Sequence, residues 1–357
     1  MTLLTLPSTR EEAWRWADTA GIAAAAALPR LEAVAAHQWL DLPGDRLLFI
    51  DGVLDPAAST LTRVALADIA GGDHALGGRA HGRGWSLRLD RDAAADPVQI
   101  VHLSTGGDNH LAGEIALAED AVATVVETFI GRGWANRFTR LTLDDTARLQ
   151  RSVRLLQDEG FTTVRDEADL GTGARLVQVV LGAGAAGARV DAAITLSGEG
   201  GYGEYGGALL TRAALRQECA VTVRHAAPGG QSRQIWRAVA ADQSQASLAA
   251  RVEVARHAQK TDGVQSLRGL LLKRTAAVNL KPELEIFADD VKCAHGATVG
   301  ELDDRALFYM ESRGIPRPRA QALLTRAFVA DALGRIGDET VRDAFAADAD
   351  AWLERAL

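Results

Sequence analysis

Between residues 97 and 295 the chain offers no amphipathic helix of convincing length. Short runs rich in Val, Ile and Leu recur instead, among them 98–103, 115–117, 122–129, 141–143, 153–156, 176–181, 190–196, 235–239, 252–255, 270–272 and 284–287. Runs of this length, bounded by Gly, Asp, Asn and Ser, read as strands. Their centres lie roughly 13–17 residues apart. A doubly wound parallel sheet needs helices in its crossovers, so their absence disfavours that fold. Sandwich, barrel and stacked solenoid remain. A strand repeat held over about 200 residues favours the solenoid.

The flanks have a different texture. Residues 9–40 carry a helical pattern, with Ser8 or Thr9 as cap, Glu11 and Glu12 in the first turn, and Trp14, Ile22, Leu31 and Trp39 as apolar contacts. Residues 45–95 break into short pieces such as 47–50 and 64–69. After Gly300 the period is helical again. Asp303 or Asp304 caps a segment bearing Leu307, Phe308, Tyr309 and Met310, which Gly314 ends. Pro316 and Pro318 open a second helix with Leu324, Phe328 and Ala332 four apart. Asp338 caps a third with Val341, Phe345, Trp352 and Leu353. The expected organisation is a helical and mixed region at 1–96, a β core at 97–298 and a helical domain at 299–357. That last domain is too small to have much core of its own, so it packs on the β core or on a partner.

Charge excludes some partners. With 39 basic and 47 acidic residues the net charge is −8, which disfavours nucleic acid and gives no polybasic handle for an anionic membrane. Two cysteines do not make a disulfide framework and fit a reducing compartment. Glu11, Glu12 and Asp18 stand where a secretory signal would be basic, and the apolar run 21–28 is too short to span a bilayer. A cytoplasmic protein is expected.

Several motif matches dissolve on inspection. Gly182-Ala-Gly184-Ala-Ala-Gly187 and Gly201-Tyr-Gly203-Glu-Tyr-Gly206 fit G-x-G-x-x-G, but strand-like sequence follows each where a dinucleotide site needs a helix. Tight turns explain these glycines better. No P-loop, nucleophile elbow or H-E-x-x-H occurs. Asp289 and Asp290 are adjacent, so a strand would point them to opposite faces. Cys219 reads as a small buried residue. His102, Asp108 and His110 surround a Thr-Gly-Gly expected to be a loop. His225 reads as a hydrogen-bonded structural residue before a Pro-Gly turn, although His225, Gln231, Ser232 and Gln234 could line a site. His257 has the same reading.

Cys293-Ala-His295 is the most suggestive pair. In an extended chain residues two apart share a face, so thiol and imidazole stand side by side. Both are donors for iron, zinc or copper, but a closed tetrahedral site needs four. Spacing alone leaves two readings open: half of a metal site, or a strand end with a buried thiol and a satisfied imidazole.

The stretch KPELEIFADDVKCAHGATVGELDDRALFYMESRGI (281–315) resembles the signature of the SufB/SufD family, the scaffold subunits of the Suf iron–sulfur cluster assembly machinery. HAAPGGQSRQIWRAV (225–239) and AQKTDGVQSLRGLLL (258–272) are similar to further elements of that family, in the same order. CAHGATVG followed by FYMESRGI, with Met310 after the Phe-Tyr pair, is similar to the D-type pattern; 245–254 lacks an F-N-G-x-I element often seen there. The resemblance implies a mainly β fold, a right-handed parallel β-helix core flanked by N-terminal and C-terminal helical regions. It implies pairing with SufB through the β-helices and with the SufC ATPase through the C-terminal helices, and a homodimer when isolated. It implies no catalytic residue here, since ATP is hydrolysed in SufC. It implies a transient iron–sulfur cluster shared with the partner, for which His295 and Cys293 are the metal-site residues. No residue pattern assigns a flavin. The competing readings are an extracellular-type β-helix enzyme acting on acidic polysaccharide, which 5% aromatic residues and the missing signal oppose, and a SufB-like primary scaffold, which would need more cysteines than Cys219 and Cys293.

Overall fold

In the computed structural model, which describes residues 5–33 and 38–357, the chain is a parallel β-solenoid of about eight turns with helices at both ends. The N-terminal segment holds one short helix, α1 (Thr19–Ala26). Four strands follow: β1 (Arg46–Ile50), β2 (Val53–Thr60), β3 (Val64–Ile69) and β4 (Gly82–Leu89). Two long bent strands come next, β5 (Val98–Leu117) and β6 (Val122–Leu143). The middle of the chain is β7 (Arg148–Leu155), β8 (Glu159–Leu170), β9 (Arg175–Gly182), β10 (Gly187–Leu196), β11 (Tyr202–Thr211) and β12 (Arg216–His225). The last strands are β13 (Gln231–Ala240), β14 (Gln245–Val254), β15 (Asp262–Leu271), β16 (Ala277–Ile286) and β17 (Lys292–Glu301). Helices α2 (Asp304–Ser312), α3 (Arg317–Leu333) and α4 (Glu339–Ala356) end the chain.

From β6 to β15 each strand pairs in parallel with the second one after it. The first half of β6 continues into β7, β9, β11, β13, β15 and β17, and its second half into β8, β10, β12, β14 and β16. Two sheets therefore face each other, and one rung is two strands. Arg148 stands beside Arg175, 27 residues on, and Gln245 beside Ala277, 32 on. The 13–17-residue spacing of the apolar runs is thus half a rung, and side chains alternating inward fill the space between the sheets.

One turn recurs at the same corner of successive rungs. Asp92, Asp120, Thr146, Gly173, Gly200, Gly229 and Lys260 all have positive φ. The N–H of each bonds a carbonyl of the next rung: Asp92 to Glu119, Asp120 to Asp145, Thr146 to Thr172, Gly173 to Glu199, Gly200 to Pro228, Gly229 to Gln259 and Lys260 to Asp290. A left-handed residue is the corner's requirement, which Gly meets at no cost and Asp more easily than most. Of the glycines in the two G-x-G-x-x-G matches, Gly182, Gly187, Gly203 and Gly206 lie in strands β9, β10 and β11, and Gly184 and Gly201 in the links before β10 and β11, with no helix after them.

The helical expectations need two corrections. The N-terminal helix is shorter than 9–40 and starts at Asp18, whose carboxylate accepts from Gly21 N at 2.9 Å. Trp14 and Ile22 are buried, whereas Leu31 is exposed; residues 34–37 lie outside the described residues. In α3 the fully buried stripe is Thr325, Val329, Ala332 and Leu333, with Leu324 and Phe328 half-buried beside it. Asp303 and Asp338 cap as expected, accepting from Arg305 N and Val341 N. Helices α3 and α4 pack on the outer face of β9, β11 and β13, where Phe345, Trp352 and Leu353 join Val179, Leu181, Ala208, Leu210 and Val239. Arg154 holds the C-terminal helix through both oxygens of Asp348, at 2.7 and 3.0 Å. No helix among the described residues is long and apolar enough to cross a membrane.

Candidate functional site

The last rung differs from every other. Strands β16 and β17 pair with β14 and β15 on one side, and no strand register among the described residues pairs with the other. Their unpaired backbone groups form an edge open to another chain. Positions that are interior in earlier rungs are uncovered here. Ile286 and Val299 are 38% and 45% exposed, and the neighbouring Phe287 is 58% exposed.

Cys293 and His295 lie on β17 in this uncovered layer. Cys293 stands beside Gly263, which stands beside Ser232; His295 stands beside Gln265, which stands beside Gln234. Ser232, Gln234 and Gln265 are buried between the sheets. Cys293 and His295 therefore continue two interior columns into the open layer. The thiol is half-buried against Val252, Val254, Ala258 and Ala288, and burial raises its pKa above the ordinary thiol value. The imidazole is exposed.

Beneath the pair the interior is polar and built from side chains with fixed directions. Gln234 Nε2 donates to the Arg251 carbonyl at 2.9 Å, and Gln265 Nε2 to the Glu283 carbonyl at 3.2 Å. His225 Nε2 lies 2.8 Å from Ser232 Oγ, which makes His225 the bonded structural residue its sequence context indicates. Gly263 leaves a gap between Ser232 and Cys293. A Cβ there would lie 3.5 Å from Ser232 Oγ and 3.4 Å from Cys293 Sγ.

The other sequence candidates disperse. His102 and His110 are not in a loop; both lie on β5, which crosses its corner with a bulge at Gly106 and Gly107. His102 is wholly buried and bonded to Glu127 and Arg137, and His110 touches Asp108 and Asn136. Cys219 is buried, and burial pushes its thiol far above the ordinary value. His257 is exposed at a turn. Asp289 and Asp290 lie in the bend after β16, where Asp290 pairs with Lys260. Among the described residues no group of three or more His, Cys, Asp or Glu is placed to hold a metal ion.

Two features escaped the sequence reading. One is a buried polar chain inside the early rungs. Arg137 Nε donates to His102 Nδ1 at 3.1 Å, so His102 carries its hydrogen on Nε2 and gives it to Glu127 at 2.9 Å. Glu127 accepts from Arg151 at 2.7 Å, and Arg151 donates to Asp166 at 2.7 Å, which also accepts from Gln178 and Tyr205. Its signal is present in the chain: Arg151 interrupts Leu149, Val153 and Leu155, and Asp166 interrupts Val164, Ala168 and Leu170, all inward positions. The other is a groove of about 540 Å³ on the outer face of β10, β12 and β14, under the N-terminal segment. There Arg189 is held by Asp191 and Glu218 and lies over Trp14. It is far removed in character from the open rung: its charges already neutralise one another.

Comparison with known proteins gives one consistent answer. The SUF system FeS cluster assembly, SufBD core domain, matches residues 105–328. The iron–sulfur cluster assembly protein SufD of Escherichia coli K12 is 28% identical over 94% of this chain and 87% of its own length. SufD of Bacillus subtilis is 25% identical over 69% of this chain and 58% of its own length. The chloroplastic protein ABCI7 of Arabidopsis thaliana is 42% identical over 32% of this chain and 25% of its own length.

Proposed function

This chain belongs to the SufBD family of the SUF iron–sulfur cluster assembly system, as a SufD-type member, and from that premise we propose that it is a non-catalytic scaffold subunit supplying half a coordination shell. The open rung carries the reading. A thiol and an imidazole on one strand face are two donors suited to iron, and a tetrahedral iron needs four. The missing donors come from the molecule that covers β16 and β17, a SufB subunit. Docking there would complete the sheet edge and bury Ile286 and Val299 in the same step.

Incomplete ligation suits a cluster that is cargo. A site with all its ligands in one chain would retain what it is meant to pass on. Cys293 has to lose its proton to bind iron, and burial opposes that in the free chain. The SufC ATPase docks on the C-terminal helices, where Phe308 and Tyr309 of α2 are 72% and 59% exposed. ATP hydrolysis takes place there, in a cytoplasmic complex, and not in this chain.

The test is to reconstitute the complex with His295→Ala. The account expects the variant to fold and assemble normally and to lose most of its bound iron and sulfide. Full cluster loading by the variant complex would refute the ligand role of His295.

A further inference from the structure

We propose that Gln265 positions His295: its side-chain oxygen takes the hydrogen of one imidazole nitrogen and thereby fixes which nitrogen faces the metal. The inference rests on the reading of His295 as a ligand.

Four observations lead to it. Gln265 and His295 are direct neighbours in the parallel pairing of β15 with β17. Strands in a ladder are about 4.8 Å apart, so a ring rotation brings an imidazole N–H within reach of the amide below. Gln265 is 1% exposed. Its Nε2 donates to the Glu283 carbonyl, and a carbonyl accepts only, so the amide cannot be turned the other way round. Its Oε1 is consequently a buried acceptor, and it has no hydrogen-bond partner among the described residues.

No donor reaches Oε1 from below. Gln234, one rung down, repeats the arrangement: its Nε2 donates to the Arg251 carbonyl, its second N–H makes no hydrogen bond to Gln265 Oε1, and its own Oε1 has no partner. The remaining direction is upward, to His295. Imidazoles that bind metal through one nitrogen commonly give the other N–H to a carboxylate or carbonyl, which fixes tautomer and ring orientation. Gln265 is the amide version of that device. Once a partner covers the rung and excludes water, the two groups can satisfy each other.

The experiment uses the metal-free full-length chain, ring-¹⁵N-labelled at histidine, bound to its unlabelled SufB-type partner. His295→Ala identifies the His295 signals. The wild-type complex should show one neutral tautomer at His295. Gln265→Met, of similar length and without the acceptor, should move both ring shifts toward averaged values and lower iron affinity roughly 10–100-fold. Gln265→Glu, with one oxygen protonated onto the Glu283 carbonyl, keeps the other oxygen as acceptor and should keep the single tautomer. Identical ring shifts in wild type and a folded Gln265→Met variant would overturn the proposal. If the shifts respond but His295→Ala loads iron fully, the hydrogen bond stands and the ligand reading falls, so the two claims fail separately.

Discussion

At one end of the solenoid, β1 and β4 lie along β5 and bury Leu47, Trp85 and Leu87; at the other, β16 and β17 leave Ile286 and Val299 in solvent. The sealed end is finished by β2 and β3, which pair antiparallel with β1 and β4 and stop the parallel stacking. Asp45 secures that seal by accepting from the backbone N–H groups of Thr62, Arg63 and Val64, at 2.9, 2.7 and 3.0 Å. Stacked folds need such terminal caps to hide the interior that every rung would otherwise expose. A chain that caps one end and leaves the other uncovered presents at that end the edge on which the proposed partner would dock. The interiors differ to match. Near the sealed end the polar chain is charged, with Arg151 shared between Glu127 and Asp166, although Asp166 Oδ1 has no hydrogen-bond partner among the described residues. Near the open end it is neutral and unfinished, with Gln234 and Gln265 each missing a donor.

The largest expected effect breaks the charged chain. Asp166→Ala leaves the buried Arg151 with Glu127 alone and takes the acceptor from Gln178 and Tyr205, and removal of one partner from a buried ionic network costs about 3–5 kcal/mol. Urea unfolding should show that loss, and a change under about 1 kcal/mol would mean the network is not holding the rungs in register. Next comes acid. Burial, helped by Arg137, holds His102 down at about 4, so the unfolded chain takes up its proton first as the pH falls below about 6.5. Burial alone would raise Glu127, but Arg151 and His102 outweigh it and hold the carboxyl at about 2. In both cases the unfolded state binds more protons, so stability should fall from pH 6.5 to 4 and again from about 4.5 to 2. Each unit of separation is worth about 1.4 kcal/mol. His102→Gln should flatten the upper part of this dependence, and an unchanged profile would contradict it. The smallest effect lies at the open end. Val299→Ala should leave the free chain within about 0.5 kcal/mol of wild type, because little is buried there, yet weaken the partner complex. Equal partner affinity would sever that face from the interface.

The chain announced its fold through spacing more clearly than through any motif. Apolar runs half a rung apart survive in the strands, and the bent β5 and β6 show as two runs each, at 98–103 with 115–117 and at 122–129 with 141–143. What misled was local. Ala-rich residues 23–27 suggest a long N-terminal helix, but docking Trp14 and Ile22 beside Trp134 and Phe161 limits it to eight residues. A Thr-Gly-Gly reads as a loop because a β-bulge uses the same residues as a turn. The candidate pair was readable because i and i+2 share a face in any strand. That it falls on the last, uncovered rung was not, since exposure of β17 depends on the absence of a following strand. Gln265 was legible only as part of a motif; its unpaired oxygen depends on Glu283, a residue of the opposite sheet.

Amide hydrogen exchange along β17, in the free chain and bound to a SufB-type subunit, tests the central claim most directly. The account predicts rapid exchange at the unpaired edge in the free chain, and strong protection across Lys292–Glu301 in the complex, with β9 and β11 unchanged. If partner binding leaves β17 exchanging as before, the open rung is not the docking surface, and the half-shell proposed for Cys293 and His295 has nothing to complete it.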